Sequence, residues 1–219
     1  MSQQPPSSKR ASASAVASVR RGLALATEPS SDEAISQALG QRIKALRARS
    51  GLTLEQLSQR SGVSRAMLST IERGEKSPTL PIIVRIAAGF GISLSTLLGA
   101  EPDPSSVAVI RAAHRIVFRD PETGFERWML SPAHVDNGVE FVLHRLPKGC
   151  STGLLPVYAS PTEKYLTVHS GTLSVVVDDQ RHVLQTGDAI YFQVQAPYRF
   201  LNEDPRMDCT YYMVIARKR

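Results

Sequence analysis

A short segment of the sequence has side chains whose types and spacing suit hydrogen bonding to the base edges and phosphates of a nucleic acid. They are Arg65, Ala66, Ser69, Thr70 and Arg73. At the period of an α-helix these residues share one face, while Leu68 and Ile71 lie on the opposite face. Small central side chains would let the polar face enter a major groove, and Arg65 could contact guanine. A solvated helix face is the alternative interpretation.

The same segment carries signals for two short helices joined by a tight turn. Thr53 can cap the first helix, and Gln56 three residues later completes a capping box. Ser64 is the corresponding cap of the second helix, and Gly62 before it supplies the backbone angles of a sharp turn. The pattern predicts a helix-turn-helix motif.

Further helices are predicted on both sides of the motif. Apolar residues at helical spacing favour a helix from about Asp32 until Gly51. After the motif, Thr79 can cap a helix that ends at Gly91, and Ser93 can cap a short last helix. The first 100 residues are therefore predicted to be helical around the motif.

Residues 37–98 resemble the Cro and phage-repressor type of helix-turn-helix domain, also called the XRE family. The runs that carry the resemblance are Leu-Thr-Leu-Glu-Gln-Leu-Ser, Gly-Val-Ser-Arg, Ile-Glu-Arg-Gly and Ser-Pro-Thr-Leu. The resemblance implies a five-helix DNA-binding domain whose second motif helix reads bases, here through Arg65, Ala66, Ser69 and Thr70. We also expect Arg73, Gln56 and Arg42 at the DNA. Glu72 is expected to pair with Arg47 as part of the scaffold.

Charge is distributed unevenly along the 219 residues, which carry a net charge of +6. The first 100 residues contain 13 Lys and Arg against 6 Asp and Glu, while the remaining 119 contain 13 against 14. A basic part beside a nearly neutral one is typical of a nucleic-acid module joined to another domain. The two cysteines, Cys150 and Cys209, are too few for a disulfide-stapled secreted domain. Buried thiols are favoured over a redox pair, and a cytoplasmic location without a membrane span is predicted.

Composition divides the chain into four parts. Residues 1–31 are rich in Ser, Ala, Gln and Pro and are predicted to be a disordered tail, with a groove-following arm as the alternative. The helix-turn-helix domain is predicted at 32–100 and a Pro- and Ser-containing linker at 101–106. From 107 to 219 the apolar period changes to two, which favours a compact β sandwich or barrel. The predicted strands are 107–110, 115–118, 139–143, 165–169, 173–177, 189–192 and 211–215.

This last part resembles the cupin barrel that often follows a Cro-type domain in bacterial regulators. The resemblance rests on Gly171 after a strand, on the run Leu-Gln-Thr-Gly-Asp-Ala-Ile at 184–190, and on Pro197, Phe200 and Asn202. It implies a two-domain α plus β chain that ends in a jelly-roll barrel.

The positions at which metal-binding cupins carry their ligands hold other residues in this sequence. The carboxylate position falls on Lys164, and the last histidine position falls on Tyr198. The first two histidine positions fall on Tyr158 and Ser160, or on the residues directly before them. Because an open metal site needs several converging donors, we predict no metal and no cofactor.

A pocket for a small molecule is predicted at the same place in the barrel. Its residues would be Tyr158, Lys164, Leu166, Val168 and Tyr198. A buried lysine needs an opposite charge, which favours a polar or anionic effector. The alternative is a packed barrel that serves dimerisation.

The two resemblances together imply a sequence-specific transcription regulator rather than an enzyme. It is expected to bind a palindromic double-stranded DNA operator as a homodimer and to respond to a small-molecule effector. Two alternatives remain open. One is a metal-independent cupin enzyme tethered to DNA, with Lys164 or a tyrosine as acid or base. The other is an antitoxin-type DNA-binding protein, against which the barrel counts.

Overall fold

The computed structural model describes residues 31–99, 107–132, 138–158 and 160–217. The predicted tail up to residue 30 and the predicted linker lie outside these ranges. The described ranges contain five α-helices, one short 3-10 helix and nine β-strands. We refer to residues 31–99 as the helical half and to residues 107–217 as the β half. This arrangement confirms the predicted α plus β fold class.

The helical half surrounds the predicted motif. Its helices are α1 (Ser31–Arg49), α2 (Leu54–Ser61), α3 (Arg65–Glu72), α4 (Leu80–Phe90) and α5 (Leu94–Leu97). The predicted caps of α2 and α3 are confirmed, because Thr53 and Ser64 accept hydrogen bonds from the backbone N–H groups of Gln56 and Met67. Gly62 between the two helices has φ 65°, the left-handed conformation that the turn requires. Helices α2 and α3 are thus fixed by local sequence.

An ion pair holds α3 against α1. The Arg47 guanidinium donates to both carboxylate oxygens of Glu72, at 2.6 and 2.8 Å. Arg47 also donates to the carbonyl of Leu52 at 3.0 Å. The pair confirms the predicted scaffold contact, and it leaves the opposite face of α3 turned outward.

The β half consists of two antiparallel sheets. Its strands are β1 (Val117–Arg119), β2 (Glu126–Met129), β3 (Val139–Leu146), β4 (Thr162–Ser170), β5 (Leu173–Val177), β6 (Gln180–Leu184), β7 (Ala189–Gln193), β8 (Tyr198–Leu201) and β9 (Cys209–Arg217). One sheet has the order β1-β2-β3-β9-β4-β7, and the other has the order β6-β5-β8. Side chains from both sheets share a hydrophobic core that includes Leu166, Val175, Phe200 and Tyr211.

Several strand predictions need correction. The predicted strand at 107–110 does not form, and Val107 and Val109 are 78% and 66% exposed, so no apolar face is buried there. Strand β1 begins two residues later than predicted. Strands β2, β6 and β8 were not predicted. The sequence of β2 begins Glu-Arg and that of β6 begins Gln-Arg-His, so neither shows an apolar period of two.

A buried ion pair lies where the halves meet. Arg127 on β2 donates to Glu140 on β3 at 2.7 Å, and both side chains are buried. The second oxygen of Glu140 accepts from the backbone N–H of Ser95 on α5 at 3.2 Å. Arg217 lies 3.8 Å from the Glu140 carboxylate. The β half thereby contacts the start of α5 through the carboxylate of Glu140.

A second carboxylate caps a helix across the same junction. Thr79 precedes α4 as predicted, but its side chain makes no cap hydrogen bond. Instead the N–H of Leu80 donates to the carboxylate of Asp120 at 2.5 Å, and Asp120 follows β1. A carboxylate at a helix N-terminus satisfies a free N–H and complements the helix dipole. The buried apolar side chains of the two halves also form one connected cluster.

Substituting Glu140 with Gln is expected to destabilise the chain by about 3 kcal/mol, because Arg127 would remain buried without its counter-charge. Arg127 and Arg217 lower the pKa of Glu140 to about 2 against the desolvation by burial, which acts to raise it. The stability that this carboxylate contributes is therefore present above its ordinary value of 4.5 and is lost as pH falls towards 2. Urea denaturation at several pH values would measure this, and the free energy of unfolding of Glu140→Gln should fall less between neutral and acidic pH than that of the wild type.

The matched control is Glu203→Gln, which breaks a half-exposed pair with Arg181 on the surface of the β half. This change is expected to cost less than about 1 kcal/mol. Equal losses in the two variants would contradict a structural role for the buried pair.

Candidate nucleic-acid interface and barrel interior

Helix α3 separates an inward apolar face from an outward polar face. Leu68 and Ile71 are fully buried against the helical core. Arg65 and Ala66 are exposed, and Ser69 and Thr70 are half-buried. The side chain of Thr70 donates to the Ala66 carbonyl at 2.9 Å. The predicted reading residues therefore share one accessible face.

Part of this face borders a shallow cleft between α2 and α3. Arg65, Ala66 and Ser69 form one side, and the first residues of α2 form the other. The cleft encloses about 450 Å³. Its α2 side includes Thr53, which the sequence offered only as a helix cap, and Glu55, which the sequence analysis did not single out. The cleft places backbone N–H groups of a helix N-terminus beside the polar face of α3, an arrangement suited to phosphate oxygens.

Two other residues that were predicted to contact DNA also make hydrogen bonds within the protein. Arg73 is exposed, and its guanidinium donates to both carboxylate oxygens of Glu75 at 2.6 and 2.8 Å and also to Ser69. The hydrogen bond to Glu75 raises the pKa of Arg73. Gln56 is exposed, but its amide oxygen accepts from the Thr53 N–H at 2.8 Å to close the capping box. Arg73 follows α3 and Gln56 lies in the first turn of α2, where the hydrogen bond from the Thr53 N–H orients its side chain.

Arg42 has a scaffold role that differs from its predicted contact with DNA. Its guanidinium donates to the carbonyls of Leu97 and Thr96 at 2.9 and 3.0 Å. These bonds add donors to carbonyls at the end of α5, where the Thr96 carbonyl also accepts from the Gly99 N–H at 3.2 Å, and they complement the helix dipole. Because the side chain is held on α5, we leave Arg42 out of the proposed DNA contacts.

The five residues predicted to form an effector pocket do come together inside the barrel. Lys164, Leu166, Val168 and Tyr198 are buried, and Tyr158 is half-buried. The Lys164 ammonium lies 4.7 Å from the ring centre of Tyr198 and 5.6 Å from that of Tyr158. It also lies 3.6 Å from the sulfur of Met213. Lys164 is only 2% exposed, so these neighbours pack around it closely.

Burial and charge perturb the titration of this cluster. Burial lowers the pKa of Lys164, while Tyr158 acts in the opposite sense. Burial acts to raise the pKa of Tyr158, but the positive charge of Lys164 and the hydrogen bond with Tyr198 leave it lowered overall. The two phenol oxygens lie 3.3 Å apart. Burial raises the pKa of Tyr198 well above its ordinary value. Two tyrosine rings thus lie beside the buried amine of Lys164, and the pKa of one of the two phenols, that of Tyr158, is lowered.

The side chains at this place do not suit a metal ion. An ammonium and two phenols replace the carboxylate and imidazole donors that cupin metal centres use. Among the described residues, no group of three His, Cys, Asp or Glu side chains could hold a metal ion. His169 and His182 are exposed, on strands β4 and β6. In the same part of the chain no helix has the length and apolar character needed to cross a membrane.

One buried histidine escaped the sequence analysis. His144 on β3 lies between Phe125 and Tyr211, with ring centres 4.9 and 5.0 Å from its own. Within the described residues neither imidazole nitrogen has a hydrogen-bond partner. Burial, together with Arg127 and Lys164, lowers the pKa of His144 well below its ordinary value. A neutral imidazole is therefore part of the aromatic packing, and only the inward period of β3 could have indicated it.

Comparison with known proteins links both halves to described families. A family model described as helix-turn-helix matches residues 43–97, and one described as a cupin domain matches residues 142–215. The HTH-type transcriptional regulator SutR of Escherichia coli (strain K12) is 27% identical over 177 residues, which are 78% of this chain and 90% of SutR.

Two further relatives cover the motif and the whole fold. The uncharacterized HTH-type transcriptional regulator y4dJ of Sinorhizobium fredii is 38% identical over 55 residues, 25% of this chain and 71% of its own length. The crystal structure of an HTH_3 family transcriptional regulator from Vibrio cholerae matches with a TM-score of 0.72 at 28% identity. That match covers 86% of this chain and all of the other. The chain belongs to the HTH-type transcriptional regulators, as a DNA-binding protein with a cupin domain behind its helix-turn-helix.

Proposed function

We propose that the outer face of α3 reads the base sequence of a DNA operator. The observation that carries the proposal is the division of α3 into a buried apolar face and an accessible face with Arg65, Ala66, Ser69 and Thr70. Arg65 stands in the first turn of the helix, where side chains of a recognition helix reach base edges. Arg73 and the α2 side of the cleft would contact phosphates, which position the helix without specifying sequence.

We further propose that the cupin domain, taken as residues 107–219, controls residues 32–100 in response to a small molecule. What supports this is the junction, where Glu140 contacts α5 and Asp120 caps α4. Helix α4 packs against α2, the first helix of the motif, so a change in the β half would act on the helix-turn-helix through α4. The relatives named above as regulators support a non-enzymatic role for the barrel.

We do not place the small molecule among the five predicted barrel residues. Lys164 is enclosed by Tyr158, Tyr198 and Met213, which leaves its ammonium little access to a ligand. The same enclosure disfavours the alternative of an enzyme that uses Lys164 as acid or base, since such a group needs contact with a substrate proton.

Recognition by α3 predicts that Arg65→Ala weakens binding to the preferred duplex by about 1–3 kcal/mol and relaxes its base preference at one position. The preferred duplex would be selected from random sequences with the full chain. Fluorescence anisotropy at fixed salt would then measure affinity for this duplex and for single-base variants. Arg199→Ala is the matched control, because Arg199 is exposed on β8 and its loss changes the net charge equally.

If Arg65→Ala left both affinity and base preference as in the wild type, the proposed reading face would be wrong. A uniform loss across all sequences would assign Arg65 to phosphate contact instead.

We also propose that the chain acts as a homodimer on a palindromic operator, because one reading helix spans few base pairs. Two such helices about 34 Å apart would match successive major grooves. The β half offers a surface for self-association on the large sheet. A row of cross-strand neighbours there contains Phe141, Val214, Tyr165 and Tyr191. Phe141, Tyr165 and Tyr191 are exposed, and Tyr212 stacks on Phe141.

Replacing Tyr165 and Tyr191 together with Ser is expected to weaken the dimer at least tenfold, since exposed aromatic side chains are frequent anchors of interfaces. Sedimentation velocity over a concentration series would measure the change. Val183→Ser on the smaller sheet, an equally exposed apolar position, is the control. A dimer of unchanged strength in the double variant would exclude this sheet face as the interface.

The enclosed lysine gives a separate test of the barrel interior. Because burial lowers the pKa of Lys164, the wild-type chain should gain stability as pH rises through that lowered pKa towards the ordinary 10.5. Lys164→Met should remove this gain of stability at alkaline pH. It should leave the affinity for the preferred duplex unchanged. Urea denaturation from neutral to alkaline pH measures the difference, with exposed Lys148→Met as control. If Lys164→Met still became more stable as pH rises, the gain of stability could not be assigned to the lowered pKa of Lys164.

A further inference from the structure

A cavity of about 540 Å³ lies between the helical half and the β half. Its helical wall comes from α1, from the loop before α4 and from the residues after α5. Its other wall comes from β1 and the residues that flank it, together with Glu126 of β2 and Arg145 of β3. Most of the wall is apolar: Leu39, Pro78, Leu98, Ile116, Val117 and Phe118. Binding sites for small molecules occur preferentially at such domain interfaces, with volumes of about 300 to 1,000 Å³.

Two guanidinium groups lie at one side of the cavity. Arg119 and Arg145 both pair with Glu126, each at 3.2 Å. Arg145 also pairs with Asp208 at 3.0 Å, so two carboxylates balance the two guanidinium groups. The Nε of Arg145 is buried and has no hydrogen-bond partner among the described residues. Arg119 is half-exposed and uses only its Nε in its ion pair, which leaves its terminal N–H groups as donors at the wall of the cavity.

The other charged groups of the wall are already satisfied within the fold. Arg42 donates to two carbonyls at the end of α5. Asp120 accepts from the N–H groups of Leu80, Glu122 and Thr123. An added anionic group is therefore expected to contact the unused N–H donors of Arg119 and Arg145, not these two side chains.

We propose that this cavity binds a small amphipathic carboxylic acid, whose apolar body lies against the apolar wall and whose carboxylate contacts Arg119 and Arg145. A planar guanidinium matches a carboxylate through two parallel hydrogen bonds, which explains the preference for an acid over an amine. The inference rests on the proposed effector control and names its site and ligand class. It moves the effector from the barrel interior to the junction of the halves.

A ligand in this position would touch both halves at once. Leu39 belongs to α1, and α1 holds α3 through the pair of Arg47 and Glu72. Val117 belongs to β1, which pairs with the strand that carries Arg127. A bound acid favours the docking seen here over any arrangement that opens the cavity, because only the closed arrangement supplies both walls.

The test uses calorimetric titration of the full chain with decanoate, in the absence of DNA. Wild-type protein is expected to bind it saturably and to bind decylamine far more weakly. Val117→Trp and Ala38→Trp fill the cavity from opposite walls and should each abolish binding, so a folding defect in one leaves the other informative. Arg119→Gln should weaken binding about tenfold.

Ala189→Asp is the matched control, because exposed Ala189 borders a separate apolar groove on the outer sheet face that could bind decanoate nonspecifically. This variant should bind decanoate like the wild type. Wild-type affinity in both tryptophan variants, loss of binding in Ala189→Asp, or no binding by the wild type would overturn the proposal. Since the titration contains no DNA, such a result leaves recognition by α3 untouched, and a failure of DNA recognition leaves the titration valid.

Discussion

The buried ion pair between Arg127 and Glu140 is the interaction on which the arrangement of the two halves depends. Two charges at 2.7 Å in an apolar surrounding cannot be separated without leaving one of them desolvated and unpaired. Glu140 uses its other oxygen on the backbone of Ser95. The pair therefore fixes strands β2 and β3 to each other and also fixes α5 to both. A hydrophobic pair of the same size would pack in the sheet, but it could not accept the hydrogen bond from Ser95 that fixes the position of α5.

Asp120 completes this junction by a different physical effect. A helix N-terminus has free N–H groups, and the side chain that would normally cap α4, Thr79, makes no such bond. The carboxylate from the β half takes its place, so the start of α4 is fully satisfied only when the halves are docked. Carboxylates thus contact the beginnings of both α4 and α5. This gives the helical half a preferred position on the barrel, which a flexible tether alone would not provide.

Local sequence patterns were sufficient for the helical half and for only part of the β half. The capping box at Thr53 and Gln56 and the turn at Gly62 depend on neighbouring residues, so they could be predicted and were confirmed. Strand β2 depends on a partner far along the chain, since Arg127 can be buried only because Glu140 neutralises it. The opposite error arose at 107–110, where residues of high strand propensity stay exposed and belong to none of the strands in the described ranges. The structure places Lys164 beside Tyr158 and Tyr198, and their close packing follows from side-chain volumes that no motif encodes.

The same limits explain why a cavity between the halves was not foreseen. Its walls combine residues from α1, the loop before α4, the segment after α5 and strands β1, β2 and β3, which are distant in sequence and share no motif. The junction combines two polar contacts, Asp120 with Leu80 and Glu140 with Ser95, with an apolar cluster that joins the two halves, and this packing leaves part of the space between the halves unfilled. Polar contacts of this kind fix orientation but require exact geometry, whereas apolar surfaces can shift to close a gap. A regulator whose two halves meet in this way keeps a defined docking and a space that a ligand can occupy.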